Sequence, residues 1–163
     1  PIMCRSGHSW IKEKMKESGA LLGGEFTGHI CFRDRWFGFD DALYCAARLL
    51  ELLAAESRTL DELLAELPRS VATPEIRIEM PEEQKFAAME TISRGFTLDE
   101  ARLSRIDGVR AEFADGWGLV RASNTSAALI CRFEGRDEAT LARIEAAFLA
   151  EIRRLLPGTN VSF

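Results

Sequence analysis

The spacing of hydrophobic positions changes several times along the chain, and each change marks an element. Trp10, Ile11 and Met15 interleave with Lys12, Lys14 and Lys16, a helical spacing that Ser9 is placed to cap and Gly19 to end. Residues 20–22 and 30–32 read as strands flanking a glycine-rich polar stretch. From Asp40 or Asp41 onward, Leu43, Ala46, Ala47, Leu50 and Leu53 recur at i, i+3, i+4 intervals, which predicts a helix with that stripe turned inward. Thr59-Leu60-Asp61-Glu62 has the form of a capping box, and the short helix it opens must stop by Pro68.

Pro68 and Pro74 bracket residues 69–73, which read as a linker able to absorb rotation between a segment 1–68 and a domain 69–163. Beyond it the period becomes two: Ile76, Ile78 and Met80 alternate with Glu75, Arg77 and Glu79, a strand with one wet face. Pro81, Glu82 and Glu83 open a helix whose expected inward residues are Phe86, Met89 and Ile92 or Phe96. Val109, Ala111 and Phe113 alternate up to Asp115-Gly116, a two-residue hairpin signal, and Trp117, Leu119 and Arg121 follow on the return strand. Residues 128–133 form a fourth strand. Asp137 caps a last helix with Leu141, Ile144, Phe148 and Ile152 inward. The order strand, helix, three strands, helix predicts a four-stranded antiparallel sheet with two helices on one face.

Composition adds bounds. The 163 residues are 47% hydrophobic and 29% charged, with a formal net charge of −5, an ordinary globular balance that disfavours a nucleic-acid or anionic-membrane partner. An anionic ligand then needs a local basic site. No apolar run approaches the roughly 18 to 20 residues that span a bilayer, and the start has no signal-peptide layout. Cys4, Cys31, Cys45 and Cys131 form no Cys-x-x-Cys pair, which reads as reduced thiols of a cytoplasmic protein. His8 with His29-x-Cys31 falls short of a metal-ligand pattern, so no metal is expected on this stretch.

Two polar stretches carry the candidate chemistry. Arg121-Ala122-Ser123-Asn124-Thr125 sets a guanidinium fork, two hydroxyls and an amide at a strand end, a donor set suited to phosphate or, more plainly, to an ordinary strand-end turn. Gly24-Glu25-Phe26-Thr27-Gly28-His29 sets Glu25, Thr27 and His29 on one rim, either through its glycine turns or through period-two spacing. His8 falls just ahead of the first helix, a position that suits an anion, or else is an exposed turn residue.

Together these stretches resemble the α-D-phosphohexomutase family, whose sugar-recognition loop reads Gly-Glu-Met-Ser-Gly-His and whose phosphate-binding loop reads Arg-Ala-Ser-Asn-Thr. The similarity runs on through Ser6-Gly7-His8-Ser9, Arg35-Trp36-Phe37-Gly38-Phe39-Asp40-Asp41, residues 70–76 and Asp107-Gly108-Val109-Arg110, and so covers nearly the whole chain. The resemblance implies an α+β stretch: the end of the family's α/β third domain over 1–68, then a phosphate-binding domain over 69–163. It further implies that Glu25 and Thr27 contact sugar hydroxyls, that Arg121, Ser123, Asn124 and Thr125 bind the distal phosphate, and that His8 and His29 lie near the transferring phosphoryl group as catalytic residues. Phe26 and Thr27 depart from the family's Met and Ser.

By the same resemblance, the parent enzyme is a monomeric phosphomannomutase or phosphoglucomutase that acts through a phosphoserine and a bisphosphorylated sugar with Mg2+. The nucleophilic serine loop and the Asp-rich magnesium loop are not written in these 163 residues, so N-terminal domains are expected elsewhere and this stretch alone is expected to be inactive. Asn124 favours the mannose/glucose branch over the glucosamine-phosphate branch, whose loop carries Ser-Gly-Thr-Glu. The alternative from another class is a stand-alone, non-catalytic phosphosugar-binding or interaction module.

Overall fold

A computed structural model describes residues 1–159 and 161. The chain divides into two compact units, 1–68 and 69–163. In the first, helix α1 (His8–Ser18) is followed by a hairpin of β1 (Leu22–Gly24) and β2 (Ile30–Phe32), then α2 (Ala42–Ala55) and α3 (Leu60–Leu64). Ile11 and Met15 of α1 pack with Cys31 of β2, one turn of helix against the middle of a short strand. That is the whole buried cluster of the unit.

Several local expectations shift here. Helix α1 begins two residues earlier than Ser9 predicts, because Gly7, at φ 122°, is the cap and His8 is already helical; only glycine adopts that angle readily, and it lets the chain turn into the helix. The first strand slides to Leu22–Gly24, where Gly24 pairs with Ile30. The largest correction concerns α2. Its expected inward residues Leu43 and Leu50 are 86% and 66% exposed, and α2 buries no residue fully; instead Cys45 bonds Ile30 O of β2, and Tyr44 and Arg48 bond Asp34 O just beyond it. A two-stranded sheet offers too little surface to cover the broad apolar stripe of a fourteen-residue helix.

The second unit contains β3 (Val71–Ala72), β4 (Ile76–Glu79), α4 (Glu82–Gly95), β5 (Arg102–Ser104), β6 (Val109–Phe113), β7 (Gly116–Ala122), β8 (Ala128–Gly135) and α5 (Glu138–Leu155). The four expected strands lie in the antiparallel order β4-β8-β7-β6, and the structure adds β5 beyond β6 and β3 beside β8. Side chains alternate across the sheet, so the row Ile76, Cys131, Val120, Val109 lies on one face. Met89 and Ile92 of α4 and Leu141, Ile144, Phe148 and Ile152 of α5 close over that face as one core. The opposite face carries Arg110, Glu112, Trp117, Leu119, Arg132 and Arg121.

Two corrections follow from the register. Phe113 pairs with Gly116, so the hairpin turn is Ala114-Asp115 and the glycine belongs to β7; a Cβ there would stand 2.3 Å from Glu134 O, which makes Gly116 a residue of close strand approach. The expected linker is shorter than residues 69–73. Val71 and Ala72 pair with Gly135 and Glu134, Thr73 N donates to Phe133 O, and the Thr73 hydroxyl accepts from Phe133 N at 3.1 Å, so these residues are fixed in the sheet and cannot absorb rotation. Phe86, expected inside, is 61% exposed, and Lys85 takes its place on the buried stripe of α4. None of the four cysteines is in a disulfide; Cys31 and Cys131 are buried, Cys4 and Cys45 half-buried. Among the described residues no helix is long and apolar enough to cross a membrane.

Candidate functional site

In the first unit the loop between β1 and β2, residues 25–29, is closed by two backbone bonds, Glu25 N to His29 O and Gly28 N to Glu25 O. The closure gathers the polar side chains by a turn, with Gly28 at φ 89°. Glu25 is the hub. One carboxylate oxygen accepts from Gly7 N at 2.9 Å, tying the loop to the start of α1, and the other accepts the Thr27 hydroxyl at 3.1 Å. A carboxylate at a helix N-terminus also meets the positive end of the dipole.

The same arrangement brings the two histidines together. His8, the first residue of α1, lies with its ring centroid 5.8 Å from that of His29. His29 Nε2 is 4.0 Å from the Glu25 carboxylate, and its Nδ1 forms a short hydrogen bond with Asp40. Asp40 forms an isolated bridge with Cys31, so its place is set by the backbone. The Asp40 carboxylate, accepting that hydrogen bond, raises the pKa of His29 above the usual histidine value. With Nδ1 committed to Asp40, Nε2 is the nitrogen left for a ligand.

Asp40 is the site residue that sequence reasoning missed. The doublet Asp40-Asp41 held the signal: a helix needs one cap, and Asp41 takes that role by accepting from Tyr44 N at 3.0 Å, which leaves the neighbouring carboxylate for other work.

In the second unit, residues 123–127 join β7 to β8. Ser123 is 5% exposed, and its hydroxyl oxygen accepts from Thr125 N, Ser126 N and the Ser126 hydroxyl at 3.3, 3.1 and 2.8 Å. Ser123 therefore shapes the loop from inside, as serine does in tight turns. Asn124 and Thr125 are exposed on its rim. Arg121, at the end of β7, is half-buried and, among the described residues, donates only to its neighbour Ala122 O at 3.3 Å. Among the described residues it has no carboxylate within ion-pair distance, unlike Arg110, which binds Glu112 and lies 3.9 Å over the Trp117 ring.

The structure thus joins His8, Glu25, Thr27 and His29 in one cluster and Arg121, Ser123, Asn124 and Thr125 in one loop, each within its own unit. Among the described residues no three His, Cys, Asp or Glu side chains group as a metal site.

Residues 1–71 match the family model "phosphoglucomutase/phosphomannomutase, alpha/beta/alpha domain III", and residues 75–151 match "phosphoglucomutase/phosphomannomutase, C-terminal domain". The chain is 47% identical over 163 residues to a phosphomannomutase/phosphoglucomutase of Pseudomonas syringae pv. tomato, covering 100% of itself and 35% of that protein. It is 46% identical over 153 residues to a phosphoglucomutase of Neisseria gonorrhoeae, covering 93% of itself and 33% of that protein. Its fold superposes with a TM-score of 0.90, at 41% identity, on the crystal structure of a phosphoglucomutase/phosphomannomutase family protein from Burkholderia thailandensis, over 100% of this chain and 34% of that one. The chain spans about a third of the length of the relatives it matches.

Proposed function

This chain belongs to the phosphoglucomutase/phosphomannomutase family, matching its domain III and C-terminal domain, and from that premise we propose that it is the substrate-holding part of a phosphohexomutase. The parent enzyme interconverts mannose or glucose 1-phosphate and 6-phosphate, by transfer from a phosphoserine and back through a bisphosphorylated sugar. Such a reaction needs one place for chemistry and another that holds the non-reacting phosphate in either orientation of the sugar. Glu25 and Thr27 serve as the sugar clamp, and Arg121 with Asn124, Thr125 and the Ser123-ordered loop serves as the distal-phosphate cradle.

The observation that carries this reading is the state of Arg121: a permanent cation, half-buried, fixed at a strand end and without a carboxylate partner within ion-pair distance among the described residues. A guanidinium that only steadied the sheet would pair as Arg110 does; an unpaired fork beside exposed Asn and Thr suits an incoming phosphate. His29, its pKa raised by Asp40, is suited to meet phosphoryl oxygens as a cation and to hold or give a proton at Nε2, with His8 beside it. In the reading given by the resemblance, charge neutralisation at the transferring phosphoryl group would come from Mg2+ held outside these residues. The described residues offer no cluster to hold it, and no step of this chain's chemistry is routed through it.

The test is Arg121→Lys in the full-length enzyme. Lysine keeps the charge and loses the two-pronged geometry, so kcat/KM should fall roughly ten- to a hundred-fold, about 1.5 to 3 kcal/mol, in both directions of the reaction. Wild-type kinetics in that variant would remove the assignment.

A further inference from the structure

Lys85, Met89 and Ile92 make up the buried stripe of α4, spaced four and three residues apart. Two are apolar, and the first is an ammonium on a residue 1% exposed. Lysine is rarely buried to this degree without a dedicated partner, since its stem sits well among apolar groups but its charged head does not. The head here has two acceptors: a Glu82 carboxylate oxygen at 2.6 Å and the Ser126 carbonyl at 3.0 Å. Glu82 lies one turn earlier on the same helix and is itself exposed, a pair that would form as well at the surface. Only the second contact, to a group 41 residues away in sequence, requires the lysine to point inward.

The Ser126 carbonyl marks where the loop of residues 123–127 turns back into the sheet, for it also accepts from Ala128 N at 2.9 Å. At the loop's other end the Ser123 hydroxyl gathers Thr125 N and Ser126 N. One loop is thus held from two sides, by a hydroxyl and by a buried ammonium. We propose that Lys85 is a positioning residue for the distal-phosphate loop: it pins the Ser126 carbonyl to the interior, where that oxygen cannot oppose an anion at the loop that Arg121 serves. A carbonyl oxygen turned toward a phosphate repels it, whereas the same oxygen bonded to an ammonium is removed from the ligand's surroundings. In a chain of net charge −5, an anion site can spare no oxygen turned toward its ligand. The inference rests on the reading of residues 121–125 as a phosphate site.

In the full-length enzyme, Lys85→Met keeps the stem and removes the charge and the donor. Its KM for glucose 1-phosphate should rise about tenfold while kcat stays within about threefold, because the loop loses the charge-assisted bond that orders it for binding. Lys85→Arg, which restores both charge and donor, should return KM to within about threefold of wild type. A lysine serving the fold alone would change the melting temperature of Lys85→Met and leave KM untouched, so a wild-type KM in that variant overturns the proposal. A measurement on the unaltered 163-residue chain does not depend on any variant folding: on titration with glucose 1-phosphate, the Lys85 ammonium resonance should move together with the amides of Ser123 to Ser126. Moving amides with an unmoved ammonium also overturn it. Arg121→Ala separates the two layers: if it too leaves KM unchanged, the phosphate reading itself fails, and if it raises KM while Lys85→Met does not, only the role of Lys85 falls.

Discussion

The two units of this chain hold their functional loops by different means. In residues 69–163 the loop is the continuation of two central strands, β7 and β8, whose inward side chains belong to a core that includes Phe96, Phe133 and Phe148. In residues 1–68 the loop hangs on a hairpin of three-residue strands and is held by polar contacts: Glu25 to Gly7, Thr27 to Glu25, Asp40 to His29. Among the described residues, exposed large hydrophobics divide just as unevenly, all but Phe86 and Ile106 lying in the first unit. The lesson is that a polar site can be assembled by a few hydrogen bonds, but apolar burial decides how firmly the scaffold beneath it stands.

Hydrogen exchange on the chain gives the widest test of this contrast. Amides of β6, β7 and β8 should exchange only by an opening that exposes the core, while those of β1, β2 and α2 open at roughly 4 kcal/mol or more below that. Equal protection in both units would break the comparison outright.

Single substitutions resolve it next. Phe148→Ala, which empties a fully buried site touching Phe96 and Phe133, should destabilise the second unit by about 3 to 5 kcal/mol. Leu50→Ala, at a residue 66% exposed, should fall within about 0.5 kcal/mol of neutral in urea unfolding. A large effect at Leu50 would show that the α2 stripe is buried in solution.

Glu25→Ala should act in the first unit alone. It strips the Gly7 amide and the Thr27 hydroxyl of one shared carboxylate, a loss of about 1.5 to 3 kcal/mol for hydrogen bonds to a charged group. The first-unit amides should lose protection and those of β7 and β8 should not.

The smallest effect sharpens the electrostatic side. Because the folded-state pKa of His29 is raised through Asp40, its contribution to stability is fully present below the unfolded histidine value of about 6.5 and is lost as pH rises through the higher folded value. Asp40→Asn should bring the His29 titration, followed by NMR, back down toward about 6.5. An unmoved titration would mean that Asp40 does not set the charge of this ring.

Much of the fold was legible because the second unit obeys simple periods. The alternation of Ile76 and Ile78 and of Val109 and Ala111, and the stripe Leu141, Ile144, Phe148, Ile152, each carried through to the core. Two short elements were not legible: Val71–Ala72 and Arg102–Ser104 are strands only because β8 and β6 present free edges to them, and neither is long enough to show a period. The polar loops stood out by composition and by their likeness to known motifs. The partners beneath them did not, since Asp40 reads as a helix cap and Lys85 as a surface charge until the backbone places them.

The sequence by itself determined the identity and order of the longer secondary elements and the chemical types at each loop, because periodicity and capping act within a few residues. Tertiary structure alone decided burial on α2 and at the start of α4. Phe86 lost the inward position to Lys85 because that place on α4 faces the Ser126 carbonyl, an acceptor a phenyl ring cannot use. Leu43 and Leu50 stay exposed because the strands of the first unit are too few and too short to cover them. Burial is a property of what lies opposite a side chain, and neither periodicity nor composition records that.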